Sequence, residues 1–340
     1  MAPMPDLSVL DLSPVTTATP PSQALRNSLD LAQHVDRLGF ARYWVAEHHN
    51  LASVATTSPA VMIAEIASAT SRIRVGSGGV MLPNHAPLMV AETFRTLEAL
   101  HPGRIDLGIG RAPGTDQITM IALRRRMEGA ENDDFVERLH ELIAFGSGRI
   151  PDDHPFRNIA AMPSDAALPP IWLLGSSDFG AQLAGAMGLG YAFAHHFASF
   201  PADEAMRLYR DNFRPSVWLE RPRSILGVSV VCADSEAEAD RLAATLDLTW
   251  LRMMRGERAP LVDPDEVRRM AFTDAERAVI AKNRARHAFG SPEQVRRRLD
   301  DLAAATRADE LMVTTMIFDH AARRRSYELL AEAYGLVSTD

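Results

Sequence analysis

The chain alternates short runs of apolar and β-branched residues with longer segments whose apolar positions recur at helical spacing. Strands are expected at residues 7–13, from Arg42 through Trp44, and at 73–82, 104–110, 170–175, 191–195, 224–233 and 310–318. Helices are expected at 22–39, 58–69, 87–100, 131–145, 179–187, 202–213, 235–255, from Ser291 onward, and at 321–336. Ser291, Pro292 and Gln294 form the clearest helix start: an N-cap hydroxyl, proline at the first turn and glutamine at N3. Two stretches break the rhythm. Residues 146–169 are rich in Pro, Asp and Gly, and residues 256–290 carry scattered Pro and dense charge, so both read as insertions. About eight βα units in one run favour an α/β fold of the (β/α)8 TIM-barrel type. It would be a single domain over residues 1–340; a doubly wound sheet would look similar in its first half.

Composition narrows the function class. In 340 residues, 46% are hydrophobic and 24% charged, enough for a large core. The net charge of −8 lacks the basic excess of a nucleic-acid footprint. Arginine supplies nearly all the positive charge, Lys282 being the only lysine. Cys232 stands alone in an apolar run, so no intrachain disulfide forms and a reducing compartment is expected. No signal peptide or membrane-length apolar run is visible, and the expectation is a cytoplasmic protein with no membrane or nucleic-acid partner.

The chemistry is concentrated where strands end. Arg42-Tyr43-Trp44-Val45-Ala46 runs directly into Glu47, His48, His49 and Asn50. Ionisable groups at a strand's carboxyl tip are the layout of an α/β active site. One such imidazole suffices for acid–base work near neutrality. Consecutive histidines point to opposite faces, so neither His48–His49 nor His195–His196 chelates one metal easily, and no metal is expected. Gly76-Ser77-Gly78-Gly79 and Gly108-Ile109-Gly110-Arg111 lie at strand ends, but neither completes a dinucleotide fingerprint. Arg111 offers a rigid fork for a phosphate, and Ser176 and Ser177 precede a helix whose first N–H groups attract anions. Equally, Arg111 could pair with a surface carboxylate while the serines merely cap the helix.

These stretches together carry a resemblance. Trp44–His49, Gly76–Pro83, His85-Ala86-Pro87, Gly103–Arg111 and Phe289–Glu293, in this order, resemble the bacterial luciferase-like flavin-dependent monooxygenase family, from about residue 7 to 336. The resemblance implies a TIM barrel binding reduced FMN at its C-terminal rim, with Arg111 and Ser176 on the phosphate and Gly175 and Ser177 beside them. It implies a cis peptide between Gly78 and Gly79 beneath the flavin ring. His48 would move a proton near the ring with Glu47 behind it, His195 would lie close to flavin or substrate, and residues 256–290 would supply a closing loop. Three positions depart from luciferase: Gly175 replaces a carboxylate, Gly110 a cysteine and Phe179 a hydroxyl residue.

The function so implied is a two-component monooxygenase. A separate flavin reductase supplies reduced FMN, O2 is the oxidant, and the substrate is a bulky apolar molecule such as an aromatic polyketide or other secondary metabolite, a setting that includes antibiotic biosynthesis. A homodimer is the family expectation. Two alternatives stand beside it: a hydride-transfer enzyme using the deazaflavin F420, which would consume no oxygen, and a noncatalytic flavin-binding subunit, against which the Glu47–His48 pair and Arg111 speak.

Overall fold

The computed structural model describes residues 5–112, 114–124 and 134–336. Among them, eight parallel strands form the barrel: β1 (Asp6–Asp11), β2 (Arg42–Val45), β3 (Arg74–Ser77), β4 (Ile105–Gly110), β5 (Ile171–Gly175), β6 (Gly190–Phe193), β7 (Ser224–Cys232) and β8 (Glu310–Thr314). Each pairs with the next, and β8 pairs with both β7 and β1, which closes the sheet. The (β/α)8 reading holds.

Helices α1 (Pro21–Leu38), α2 (Pro59–Ala69), α3 (Pro87–Leu100), α4 (Gln117–Arg124), α5 (Phe135–Ser147), α6 (Asp178–Met187) and α7 (Ala202–Asn212) follow the first six strands. After β7 come α8 (Glu236–Met254), α9 (Pro264–Arg268), α10 (Asp274–Arg284) and α11 (Pro292–Thr306), and α12 (His320–Tyr334) follows β8. The first residues of the helix expected over 131–145 lie outside the described residues.

Two expectations change. The third strand does not run unbroken to residue 82: it stops at Ser77, and Val80–Met81 then pairs separately with β4. The break is the Gly78–Gly79 peptide, which is cis, as the resemblance implied. Residues 256–290 are not irregular. Asp263 and Thr273 cap α9 and α10, the latter with a full capping box, and Ala288–Gly290 pairs with β7. Short polar-faced helices lack the long apolar stripe that reveals a helix in sequence. Residues 148–170 do lack helix and strand. That loop is held by buried Arg95, which donates to the carbonyls of Ala161, Ser164 and Ala166 at 3.0, 3.0 and 2.7 Å.

Strand alternation sorts side chains into two cores. Leu7 and Val9, Tyr43 and Val45, and Leu311 and Val313 face the helices. Leu10, Trp44, Trp172, Ile225 and Met312 fill the barrel. Beneath them lies a charged floor at the strands' N-terminal ends. Asp106, fully buried, accepts from Arg42 Nη1 at 2.7 Å, Arg74 Nη2 at 2.6 Å and the Trp44 indole at 3.2 Å. Arg42 also donates to both oxygens of Glu310 at 3.0 Å, and Ser8 donates to the same carboxylate. Trp44 and Trp172 meet edge to face at 5.7 Å, with the Arg42 guanidinium 5.0 Å from the Trp172 ring. A Cβ on Gly76 would sit 2.7 Å from the Trp44 indole nitrogen, so glycine is what lets the large ring lie across the barrel.

Removing one member of this floor strands charge in the interior. Asp106→Ala takes away the carboxylate that Arg74 pairs with and that Arg42 uses beside Glu310, and is expected to cost about 3–5 kcal/mol in urea unfolding; a loss below about 1 kcal/mol would show the floor to be dispensable.

Candidate active site

Above the Trp44 layer the barrel is open, and the chain leaving β2 crosses its rim. Glu47 is fully buried there. Its carboxylate accepts from the Met81 N–H at 2.9 Å, His49 Nε2 at 3.0 Å, His85 Nε2 at 2.9 Å and the Asn84 amide at 3.3 Å. Burial pushes the Glu47 carboxyl up, but the bonds from His85, Met81 and His49 outweigh it and hold the group below its usual range. Glu47 makes no hydrogen bond to His48. The expected pairing is therefore replaced by a different one: Glu47 ties the loop after β2 to the turn after Val80–Met81, and leaves His48 to the backbone.

His48 Nδ1 lies 3.4 Å from the carbonyl of Gly114. A carbonyl only accepts, so Nδ1 carries the proton and Nε2 the lone pair. Burial lowers the imidazole's pKa against the opposing pull of that carbonyl, which keeps the ring neutral. Its backbone is fixed as well, the His48 N–H donating to Thr56 O at 3.0 Å and the His49 N–H to Gly114 O at 3.2 Å.

Arg111, Ser176 and Ser177, expected to hold an anion, gather at the ends of β4 and β5. The Arg111 guanidinium lies 4.2 Å from the centre of the Phe179 ring, so the phenyl that stands where luciferase has a hydroxyl positions the cation by stacking. Ser177 is the N-cap of α6, yet its side chain makes no capping bond. Ser177, Ser176 and the first turn of α6, through Phe179 and Gly180, line the same cavity as Arg111. Gly175 cannot simply be exchanged for a carboxylate: a Cβ there would meet the Tyr191 ring and hydroxyl at 3.1 Å. Gly110 is crowded in the same way by Met81 Sδ at 2.8 Å. Between these residues and His48 lies the cis Gly78–Gly79 peptide. A Cβ on Gly79 would approach the Gly108 carbonyl oxygen to 2.7 Å.

His195 does not line the cavity. β6 ends at Phe193 and a turn follows, with the N–H groups of Phe197 and Ala198 bonded to Ala194 O. This turn directs His195 Nε2 to the carbonyl of Arg286 at 3.1 Å and brings His196 to the wall in its place. Sequence reasoning weighed His196 only as a metal ligand. The overlooked signal is Gly227 in the middle of β7, where a Cβ would come within 3.0 Å of the His196 ring.

The rim cavity has a volume of about 440 Å³. His48, Gly78, Arg111, Gly175, Ser176 and Ser177 line it, whereas Gly79 and Glu47 stand behind it. Among the described residues no cluster suited to a metal ion occurs, and no helix is long and apolar enough to cross a membrane. A second depression, of about 430 Å³, shares no residue with the first; it lies among α8, α9 and α10, where Arg284 pairs with Asp240 and Asp247.

A closed parallel barrel with ionisable and anion-accepting residues at the carboxyl ends of its strands defines an α/β-barrel enzyme. Residues 6–332 match the luciferase-like monooxygenase family, and the chain belongs to it, an oxidoreductase family. It is 41% identical over 322 residues to a luciferase-like monooxygenase of Escherichia coli, covering 95% of each chain. It is 30% identical over 329 residues to the N-acetyl-S-alkylcysteine monooxygenase of Bacillus subtilis, covering 96% of this chain and 97% of that one. The solved structure of apo-MsnO8 superposes with a TM-score of 0.90 at 41% identity, over 99% of this chain and 100% of that one. The fold alone is shared with two more distant structures. One is the oxygenating constituent of 3,6-diketocamphane monooxygenase with FMN (TM-score 0.70, 19% identical, 97% of both chains). The other is an F420-dependent secondary alcohol dehydrogenase (0.69, 14%, 97% of this chain and 99% of that one).

Two buried imidazoles near the rim carry a pH signature. Burial lowers His196 to about 4 and His287 to about 3. Both lie below the unfolded value near 6.5, so the unfolded chain takes up these protons first and stability falls as pH drops below about 6.5. Each group contributes up to about 1.4 kcal/mol per pH unit until its folded pKa is reached. Unfolding free energies measured between pH 7.5 and 5 should decline accordingly, with a shallower slope for His287→Phe; an unchanged slope would contradict this assignment.

Proposed function

We propose that the protein is a two-component monooxygenase that takes reduced FMN from a separate flavin reductase and uses O2 to oxidise an uncharged, bulky organic molecule. The observation that carries this reading is the division of the cavity. One end gathers a stacked guanidinium, two hydroxyls and a helix N-terminus, a donor set that suits a phosphate monoester. The remainder is apolar with neutral imidazoles, which suits a flat aromatic ring and a hydrophobic substrate. The residues thus fit FMN.

In this reading Arg111, Ser176, Ser177 and the first turn of α6 hold the phosphate, and Gly175 keeps the wall beside them low. The cis Gly78–Gly79 peptide presents backbone to the ring without side chains. Bound reduced flavin supplies the electrons and the site of oxygen activation. His48 accepts and returns a proton at Nε2, and Glu47 holds the loop that carries His48 in register. Trp44, Met81 and Phe197 keep water away from the reacting centre. A homodimer fits the exposure of Val61 on α2 and Met89 on α3, and the lone buried Cys232 fits a cytoplasmic setting.

The fold is also shared by an F420-dependent enzyme, so the decisive test is a titration with both cofactors. Reduced FMN should bind in preference to F420, and Arg111→Ala should weaken FMN at least about 10-fold, the loss expected of a charge-assisted phosphate contact. F420 binding with hydride transfer and no oxygen uptake would overturn the monooxygenase reading. With a turned-over substrate, His48→Ala should lower oxygenated product by about 10²–10⁴-fold while FMN affinity stays within about threefold; full product formation by that variant would remove His48 from the chemistry.

A further inference from the structure

The barrel's connectivity places two imidazoles face to face. In a closed ring of eight strands, β2 and β6 are four positions apart in either direction, so they stand diametrically opposite. His48 leaves the tip of β2 and His196 follows the tip of β6, and both line the rim cavity. The anion-accepting group at β4 and β5 and the cis peptide after β3 lie on the arc between them. The other arc, made by β7, β8 and β1, has a different character. Leu10, Leu12, Phe193, Phe197, Ile225 and Met312 line the cavity from β6 round to β1, and His196 is the one polar side chain among the described lining residues there.

His196 is built into this wall as an acceptor. Its Nδ1 lies 3.3 Å from the carbonyl of Gly227, and its backbone N–H donates to the same oxygen at 3.0 Å. The carbonyl fixes the proton on Nδ1, leaving the Nε2 lone pair for the cavity. The ring is seated against Gly227, where a Cβ would sit 3.0 Å from Nδ1, and edge-on to Phe197 at 4.8 Å. Its pKa, lowered to about 4, keeps it neutral over the ordinary working range. A lone acceptor in an apolar wall is satisfied by a ligand hydroxyl and left unsatisfied by a ligand that lacks one.

We propose that His196 is a substrate-recognition residue, and that the substrate is an uncharged, largely apolar molecule, of the phenol or alcohol class, whose hydroxyl donates to His196 Nε2. This rests on reading the rim cavity as the oxygenation site and specifies which chemistry that site accepts. Among the described lining residues Arg111 alone is charged, and it belongs to the β4–β5 arc, so a carboxylate-bearing substrate finds no cation among the described residues of the apolar arc.

The test uses a matched pair of probes, 2-naphthol and 2-methoxynaphthalene, titrated calorimetrically into the full chain with and without FMN. The wild-type protein should favour the naphthol by about 10-fold, the value of one hydrogen bond. In His196→Phe the naphthol should fall to the affinity of the methyl ether, whose own binding stays unchanged and so reports an intact cavity. His196→Gln, which keeps an acceptor oxygen, should restore part of the preference. A preference that survives in His196→Phe, or that His48→Phe abolishes instead, overturns the proposal. So does equal binding of the two probes by the wild type. If His196→Phe weakens FMN and spares the naphthol preference, the donor belongs to the cofactor and the proposal fails. If the wild type binds no FMN while its naphthol preference still depends on His196, the recognition role stands and the FMN reading falls.

Discussion

The structure depends on how the barrel's interior is filled. A parallel eight-stranded barrel must pack its inside as tightly as its outside. Here Asp106 and Glu310 neutralise Arg42 and Arg74 at the floor, and the Trp44 indole, bonded to Asp106 and admitted by Gly76, closes the middle. Because charge and aromatic bulk fill the barrel's floor and middle, the upper rim is left hollow. Trp44 is thus the roof of the core and the base of the cavity. The residue two positions on, Ala46, is small, and the chain then delivers Glu47 and His48 to the rim. Packing and chemistry are set by the same strand.

The electrostatics of the rim follow a consistent division. Among the described residues the buried carboxylate beside His48, Glu47, is consumed by Met81, Asn84, His85 and His49 and stands behind the wall. The imidazoles that do face the cavity each give Nδ1–H to a backbone carbonyl, of Gly114 or of Gly227, and are kept neutral by burial. Fixed positive charge appears at the β4 end, where Phe179 supports Arg111. Such a lining suits an anion at one end and uncharged chemistry elsewhere. Protons can be taken up by imidazole without a net charge already stored beside the reacting centre.

The alternation of strands and helices made the barrel legible, and the run from Trp44 into His48 marked the rim of the cavity, since period-two burial and strand-tip chemistry are both local signals. Three features escaped for physical reasons. The partner of Glu47 depends on the turn that brings His85 and Asn84 back over the rim, a contact nearly forty residues away in sequence. The choice between His195 and His196 depends on where β6 stops, and one residue of difference reverses which imidazole faces inward. The helices α9 and α10 are short and charged, held by caps rather than by an apolar face legible in the sequence. The departures at Gly175 and Gly110 were visible, but their cause, the bulk of Tyr191 and Met81, required coordinates.

The central claim is that this rim binds reduced FMN and governs its encounter with oxygen. The most direct measurement is rapid mixing of the anaerobic protein–reduced FMN complex with oxygenated buffer, following the return of oxidised-flavin absorbance together with hydrogen peroxide released. The account predicts a return at least about tenfold slower than for free reduced FMN, shortened when His48 is replaced by Ala. A time course and peroxide yield identical to those of free reduced FMN would contradict it.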